Sequence, residues 1–449
     1  MIKKLLTILL STALCFSFAA CGTTPPENGK DPSGSGGENE NPPQDNKEGT
    51  VDDLVINFWQ SQTMFDESVL LVAETDGEGN VISAPKAKFL FDATEILSVK
   101  QYFHEDNGGQ TVTYTAGEDY VYENGTLTAK GSIVENAITG KKEFSCSMPY
   151  VTDKALTGEA TFPGLGSSTS IPSTDSGLYL PFTEGYQIVQ MQLSVTYTHG
   201  GGWTGATPSY FGSDALSGTL AKLKNKETVR LFVYGDSIST GANSSSVLGI
   251  APFLATWPEL VANNLSRYYG ATVELTNRSV GGWTSSNGVG GGSGWVKGQA
   301  VRQEGLQTLL STDLEGYVPD LVFLGFGMND ASLGIDLNTY LNNMKDMIDV
   351  LRSVNPDCEI VLVGTMLANP KALNQAKNQA EFTQYLSRLV RLYEGVCVVD
   401  VGAVHQSILD AGKRFTEISS NNVNHPNDFM ARVYAMTLLS ALIDTQNAS

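Results

Sequence analysis

The sequence predicts an α/β domain over residues 215–449, built on five parallel strands with helices on both faces, preceded by an all-β sandwich over 51–214. Three observations predict this. The earlier half alternates apolar and polar residues with period two, the mark of half-buried antiparallel strands. The later half alternates short apolar runs with amphipathic helical ones, which implies a parallel sheet covered on both sides. The roughly 400 residues after the first fifty exceed what a single hydrophobic core organises, so two domains are expected.

The chain opens on "MIKK", a short positive stretch, followed by apolar "LLTILLSTALCFSFAA". That run is long enough for a signal sequence and short for a transmembrane span. It ends in "FAAC", which resembles the lipobox of bacterial lipoproteins. The resemblance implies a lipoprotein signal peptide over 1–20, cleavage before Cys21 and diacylglycerol on its thiol. An ordinary secretory signal would instead leave Cys21 free. With two or more acyl chains the anchor is stable, and the expected location is the extracytoplasmic face of a bacterial membrane. Residues 21–50, including "GTTPPENGKDPSGSGGENENPPQDNKEGT", are almost devoid of apolar side chains and read as a disordered linker.

In the first domain, "DLVINFW", "SVLLVAE", "KAKFLF", "TVTYTAGEDYVYENGTLTAKG" and "QIVQMQLSVTYTH" are the strand candidates. After a short helix, "ALSGTLAKLKN", the parallel strands are placed at 229–235, 272–277, 320–327, 359–365 and 396–401. The helix candidates between and after them include "WPELVANNLSRYY", "LNTYLNNMKDMIDVLRSV" and "FMARVYAMTLLSALI". The second of these lines Leu337, Tyr340, Leu341, Met344, Ile348 and Leu351 along one stripe.

Acidic residues outnumber basic ones 48 to 28, for a net charge of −20. That excludes nucleic acid as an expected partner and argues against electrostatic adhesion to membranes. Beyond Cys15 and Cys21, three cysteines remain, Cys146, Cys358 and Cys397. An odd count leaves at least one free or paired between chains. No Cys/His spacing suggests a metal, and no cofactor is expected.

In such a sheet, ligands bind beyond the carboxyl ends of the strands, and the chemistry-bearing residues fall there. The first strand ends in "YGDSISTG" with Ser237, the second in "NRSVGGWTSS", and the third in "GFGMND" with Asn329. "NHP", with His425, follows the last strand and precedes the final helix. This ordered set resembles the four sequence blocks of the SGNH (GDSL-type) hydrolase family, over residues 229–445. The resemblance implies a three-layer α/β/α, flavodoxin-like domain. It also implies Ser237 as nucleophile and His425 as general base. The oxyanion hole would comprise the Ser237 and Gly282 amides and the Asn329 carboxamide. Asp236 and Asp330, within the blocks, are expected to hold the loops. His405 is the runner-up base. Asp428 is expected to cap the final helix.

The family's base normally follows an acid in Asp-x-x-His-Pro, but here that position is Asn422. Four readings stay open: the Asn422 carboxamide orients His425, a main-chain carbonyl does so, Asp400 at the end of the fifth strand reaches it, or the domain is inactive. The glycine-rich stretch 281–298 reads as a long flexible loop whose Trp283 and Trp295 stack on a sugar ring or pack the loop down. Trp203 in "HGGGWTG" raises the same question. The expected function is a serine esterase removing acetyl or short acyl groups from polysaccharide or oligosaccharide, in a layout similar to bacterial two-domain carbohydrate esterases. The alternatives are a lipase, lysophospholipase or thioesterase on the same frame, or a non-catalytic glycan-binding lipoprotein.

Overall fold

The computed structural model describes residues 57–166, 170–208, 214–375 and 377–444. The expected signal peptide, Cys21 and the linker lie outside the described residues. Residues 48–449 constitute one unit.

Five strands in the second half, Val229–Gly235, Val273–Asn277, Leu321–Gly325, Glu359–Gly364 and Val396–Asp400, form one sheet in which every neighbouring pair is parallel. Counting these strands along the chain, their order is 2-1-3-4-5. Both faces of the sheet are buried. Val229, Leu231, Val233, Leu321 and Phe323 join one core cluster. Phe232, Tyr234, Val322 and Leu324, one residue out of phase, join the other. Because side chains alternate sides along a strand, continuous apolar runs require helices above and below. Helices Trp257–Tyr269 and Asp428–Leu439 cover the first face, and Leu337–Val354 and Gln379–Val390 the second. Order 2-1-3 reverses direction beside the first strand, and the crevice at that switch point opens beyond the carboxyl ends of strands one and three.

The first half is strand-rich, with two principal sheets. A four-stranded antiparallel sheet orders Thr63–Val69, Leu193–His199, Ala93–Tyr102 and Thr111–Thr113. A five-stranded sheet orders Val151–Thr152, Val72–Ala73, Lys86–Lys88, Thr126–Ala129 and Tyr120–Glu123. Phe89 joins them, its ring stacked 4.9 Å from Tyr197 of the first sheet and 5.2 Å from Tyr122 of the second. Two strand expectations need correction. Asn57–Gln60 is a turn closed by the Gln60 N–H on Asn57 O (2.9 Å), and Gln187–Met191 is a short helix ahead of the strand Leu193–His199.

The strand-rich half and the parallel-sheet half share one core. The cluster that holds Leu231 and Val233 on the first face of the parallel sheet also takes in Val69, Val195 and Tyr197. Phe58 packs against Phe429 of the final helix at 6.3 Å. Trp203 stands edge-on to Phe58 at 5.0 Å with its Nε1–H donating to Ala206 O, so that ring packs within the fold.

Candidate active site

Ser237 opens a one-turn helix, Ser237–Thr240, directly after the first parallel strand. Buried Asp236 caps it, its Oδ1 accepting from the Ile238 N–H at 3.0 Å. Burial pushes the Asp236 carboxyl up to about 7. The Ser237 hydroxyl lies 2.8 Å from His425 Nε2. His425 is carried by the segment ahead of the final helix. There the Asn421 side-chain oxygen accepts from the Val423, Asn424 and His425 N–H groups, each at 3.0 Å. The helix itself is capped by Asn427, which accepts from the Met430 N–H at 3.1 Å. Asp428, expected as the cap, instead accepts from the Ser245 N–H at 3.0 Å.

The turn after the second strand holds Gly282 with φ +82°, a conformation open to glycine at no steric cost. The Gly281 N–H is occupied by Trp295 O at 2.7 Å, which leaves Gly282 as the glycine whose amide can serve an anion. Asn329 follows the third strand, and its Nδ2 donates one hydrogen to Trp283 O at 2.9 Å. An amide nitrogen carries two hydrogens, so the second stays available. Asp330 is fully buried and accepts from Ser285, at 2.6 Å from the hydroxyl and 3.0 Å from the N–H. Burial holds its carboxyl above the usual carboxylate range despite those bonds. The turns after strands two and three are thereby tied together, and Ser237, His425, Gly282 and Asn329 gather at the carboxyl ends of the first three parallel strands.

Other expected residues fall elsewhere. Asn422 does not face the histidine ring. Its Oδ1 accepts from the Thr416 hydroxyl (2.7 Å) and Asn369 Nδ2 (3.2 Å), and its Nδ2 donates to Pro181 O at 2.9 Å. Asp400 caps the helix Val401–Asp410 by accepting from the Ala403 N–H at 2.9 Å. His405 is fully buried and its Nδ1 accepts from the Leu367 N–H. Burial pushes its imidazole down to about 3, so it stays neutral and structural. Trp283 is enclosed, its Nε1–H donating to Ser293 O at 3.1 Å, and cannot stack on a substrate. Trp295 stays half exposed on the hairpin Gly292–Val296/Gln299–Gln303.

Sequence reasoning misses the residues that face His425 Nδ1. Asn243 Oδ1 stands at 2.5 Å and Glu184 Oε2, from the strand-rich half, at 3.1 Å. Asn243 Nδ2 donates to the Glu184 main-chain carbonyl at 2.7 Å, which fixes its Oδ1 toward the ring. Both neighbours of Nδ1 are acceptors, so Nδ1 carries the proton and Nε2 is left to accept from the Ser237 hydroxyl. Burial would lower the His425 pKa, but the charge and hydrogen bond of Glu184, followed by the charge of Asp236, raise it above the ordinary imidazole value. Burial would raise the Glu184 carboxyl. The charge and hydrogen bond of His425, together with the amides of Asn421 and Asn243, reverse this and hold it low. Neither "PFTEGY" around Glu184 nor "TGANSS" around Asn243 carries a motif that marks this role.

Comparison with solved structures places similar folds beside this chain. A two-domain esterase (CEX) active on acetylated mannans is 18% identical with a TM-score of 0.38, over 53% of this chain and 55% of its own, so the chain spans about half that protein's length. A catalytic mutant of Axe2, an acetylxylan esterase from Geobacillus stearothermophilus, is 15% identical with a TM-score of 0.37, over 48% of this chain and 96% of its own. A member of the lipolytic protein G-D-S-L family from Veillonella parvula is 16% identical with a TM-score of 0.35, over 47% and 96%. No curated protein matches the sequence. Residues 233–433, which include Ser237, Gly282, Asn329 and His425, match the model of the GDSL-like lipase/acylhydrolase family.

Proposed function

We propose that the protein is a serine esterase that removes acetyl or other short acyl groups from polysaccharide or oligosaccharide. The observation that carries this reading is the 2.8 Å contact between the Ser237 hydroxyl and a His425 ring whose proton is held on Nδ1. A serine hydroxyl is a weak nucleophile until a base takes its proton. As Ser237 attacks the ester carbonyl, Nε2 receives that proton and negative charge gathers on the carbonyl oxygen. The Ser237 and Gly282 amides and the second Asn329 hydrogen meet that charge, each such donor contributing about 3–4 kcal/mol in the transition state. As the bond between the acyl carbon and the sugar oxygen breaks, His425 returns the proton to that oxygen, which leaves as a hydroxyl, and the acyl group stays on Ser237. Water activated by the same base releases it.

The carbohydrate reading draws on half-exposed Trp295, whose main chain pairs with Gly281 next to the oxyanion turn. A ring placed there offers a sugar an apolar face. The net charge of −20 suits an uncharged polymer. We further propose that Cys21 anchors the folded body to the outer face of a bacterial membrane.

The test is acetate release from acetylated xylan, mannan and pectin by wild type and Ser237→Ala. Wild type is expected to release acetate from at least one polymer, and Ser237→Ala from none. Equal release by the two proteins removes the assignment. A series of p-nitrophenyl esters checks acyl length, and a preference for chains of about eight carbons or more would move the protein to the lipase-type reading.

A further inference from the structure

We infer that Glu184, from the strand-rich half of the chain, is the carboxylate that balances the charge of His425 beside Asn243, which orients its ring, so that the region before residue 214 completes the active site of the α/β domain. The inference rests on the Ser237–His425 reading above. Glu184 contacts the histidine ring and acts through it as a positioning residue.

The two groups at Nδ1 divide the work. Asn243 is neutral: its oxygen fixes the tautomer and ring orientation but adds no charge. In a serine triad the acid also stabilises the imidazolium formed when the base takes the serine proton. Glu184 Oε2, at 3.1 Å, is placed to do that. Asp236, buried on the serine side, is the other acidic group acting on the ring, and it is already engaged in capping the Ser237 turn.

The segment that carries Glu184 is held in place by three asparagines of the α/β domain. Asn422 Nδ2 donates to Pro181 O at 2.9 Å, Asn243 Nδ2 to Glu184 O at 2.7 Å, and Asn421 Nδ2 to Glu184 Oε1 at 3.2 Å. The amide at the family's acid position thereby clamps the strand end that delivers a different acid. A carboxylate at 422 would set an acceptor oxygen, in place of the Nδ2 donor, against the Pro181 carbonyl, so asparagine suits this position once the acid comes from elsewhere. Part of the Glu184 side chain, 37% of its surface, is open to solvent. Screening makes its influence smaller than that of a fully enclosed acid.

The experiment measures kcat and KM of the full chain on p-nitrophenyl acetate across pH 5–9 for wild type, Glu184→Gln, Glu184→Asp, Ser237→Ala and His425→Ala. The base works only as neutral imidazole, so the rate falls as pH drops through its pKa. Glu184→Gln is expected to lower kcat about 10- to 10³-fold with KM nearly unchanged. That is less than the roughly 10⁴-fold loss for a triad whose amide imposes the wrong tautomer, because Asn243 still holds Nδ1–H. Its acid limb is expected to move to lower pH, since burial then acts on the ring without Glu184 opposing it. Glu184→Asp, which keeps the charge, should leave the limb nearer to wild type. An unshifted limb in Glu184→Gln overturns the inference, whether kcat is unchanged or falls together with Tm as a structural role would predict. Turnover surviving in Ser237→Ala or His425→Ala would remove the Ser–His reading and this inference with it. Loss in those two beside an unaffected Glu184→Gln would overturn the role of Glu184 alone.

Discussion

At Asn422 one nitrogen decides what a substitution does. The residue is buried in the left-handed region (φ +63°), its oxygen occupied by Thr416 and Asn369 and its nitrogen by Pro181 O. Asn422→Asp would restore the family's spacing of acid and histidine, yet it replaces the donor facing Pro181 O with an acceptor. The expected outcome is a loss of about 1–3 kcal/mol, the usual cost of leaving buried polar groups unsatisfied, seen as a lower urea midpoint, together with slower turnover. A faster enzyme of unchanged stability would show that residue 422 still belongs to the acid's role. The four residues proposed to carry the reaction are legible because each is attached to the end of a strand or the start of a helix that the sequence pattern already locates. Glu184 is not. A lone glutamate in a turn has no local signature, and its meaning comes from the fold bringing Pro181–Glu184 against Asn421 and Asn422. The choice among Asn422, Asp400 and a main-chain carbonyl therefore omits the residue that the structure places at the ring.

Among the elements, the five parallel strands and the helices Trp257–Tyr269 and Leu337–Val354 are readable to within a residue or two, because long apolar periodicity dominates their burial. The stretch 281–298 reads as flexible, yet it folds into the short helix Ser285–Gly290 and the first strand of a hairpin. Its glycines permit close approach: a Cβ on Gly294 would stand 2.6 Å from Gly281 O and 3.0 Å from Trp283 Cδ1. Glycine chosen for contact and glycine chosen for mobility look alike until the neighbour is known. Gly294→Ala is therefore expected to push the hairpin away from the Gly281–Gly282 turn. Displacing the proposed oxyanion donor Gly282 by a fraction of an ångström should lower kcat about 10- to 100-fold, while global stability changes little. Wild-type kcat in Gly294→Ala, measured on p-nitrophenyl acetate, would mean that the turn does not lean on the hairpin.

At the scale of the whole molecule, the two halves are joined by polar contacts as well as by their common core. Lys413 Nζ bonds Glu67 Oε1 at 2.7 Å and Ser68 O at 2.6 Å, with Glu417 Oε1 at 3.7 Å. Gln192 Nε2 donates to Thr416 O and Ser419 O, and Arg432 pairs with Asp66 at 3.0 Å. The Glu67 and Lys413 side chains are both almost wholly withdrawn from water. Burial would lower the lysine pKa, but Glu417 and Glu67 reverse this and raise it. A raised lysine contributes its full stabilisation below the unfolded-state pKa and loses it only as pH climbs through the folded one. At neutral pH the contribution is therefore complete. Lys413→Met removes the cation and leaves Glu67 and Glu417 buried without it, a change expected to cost about 3–5 kcal/mol. Lys413→Arg, which keeps the charge, should cost less. Because the segment delivering Glu184 crosses the same seam, Lys413→Met should lose activity at a lower temperature than wild type, in step with its thermal transition. If its Tm and its inactivation temperature match those of wild type, the buried ion pair does not hold the two halves together.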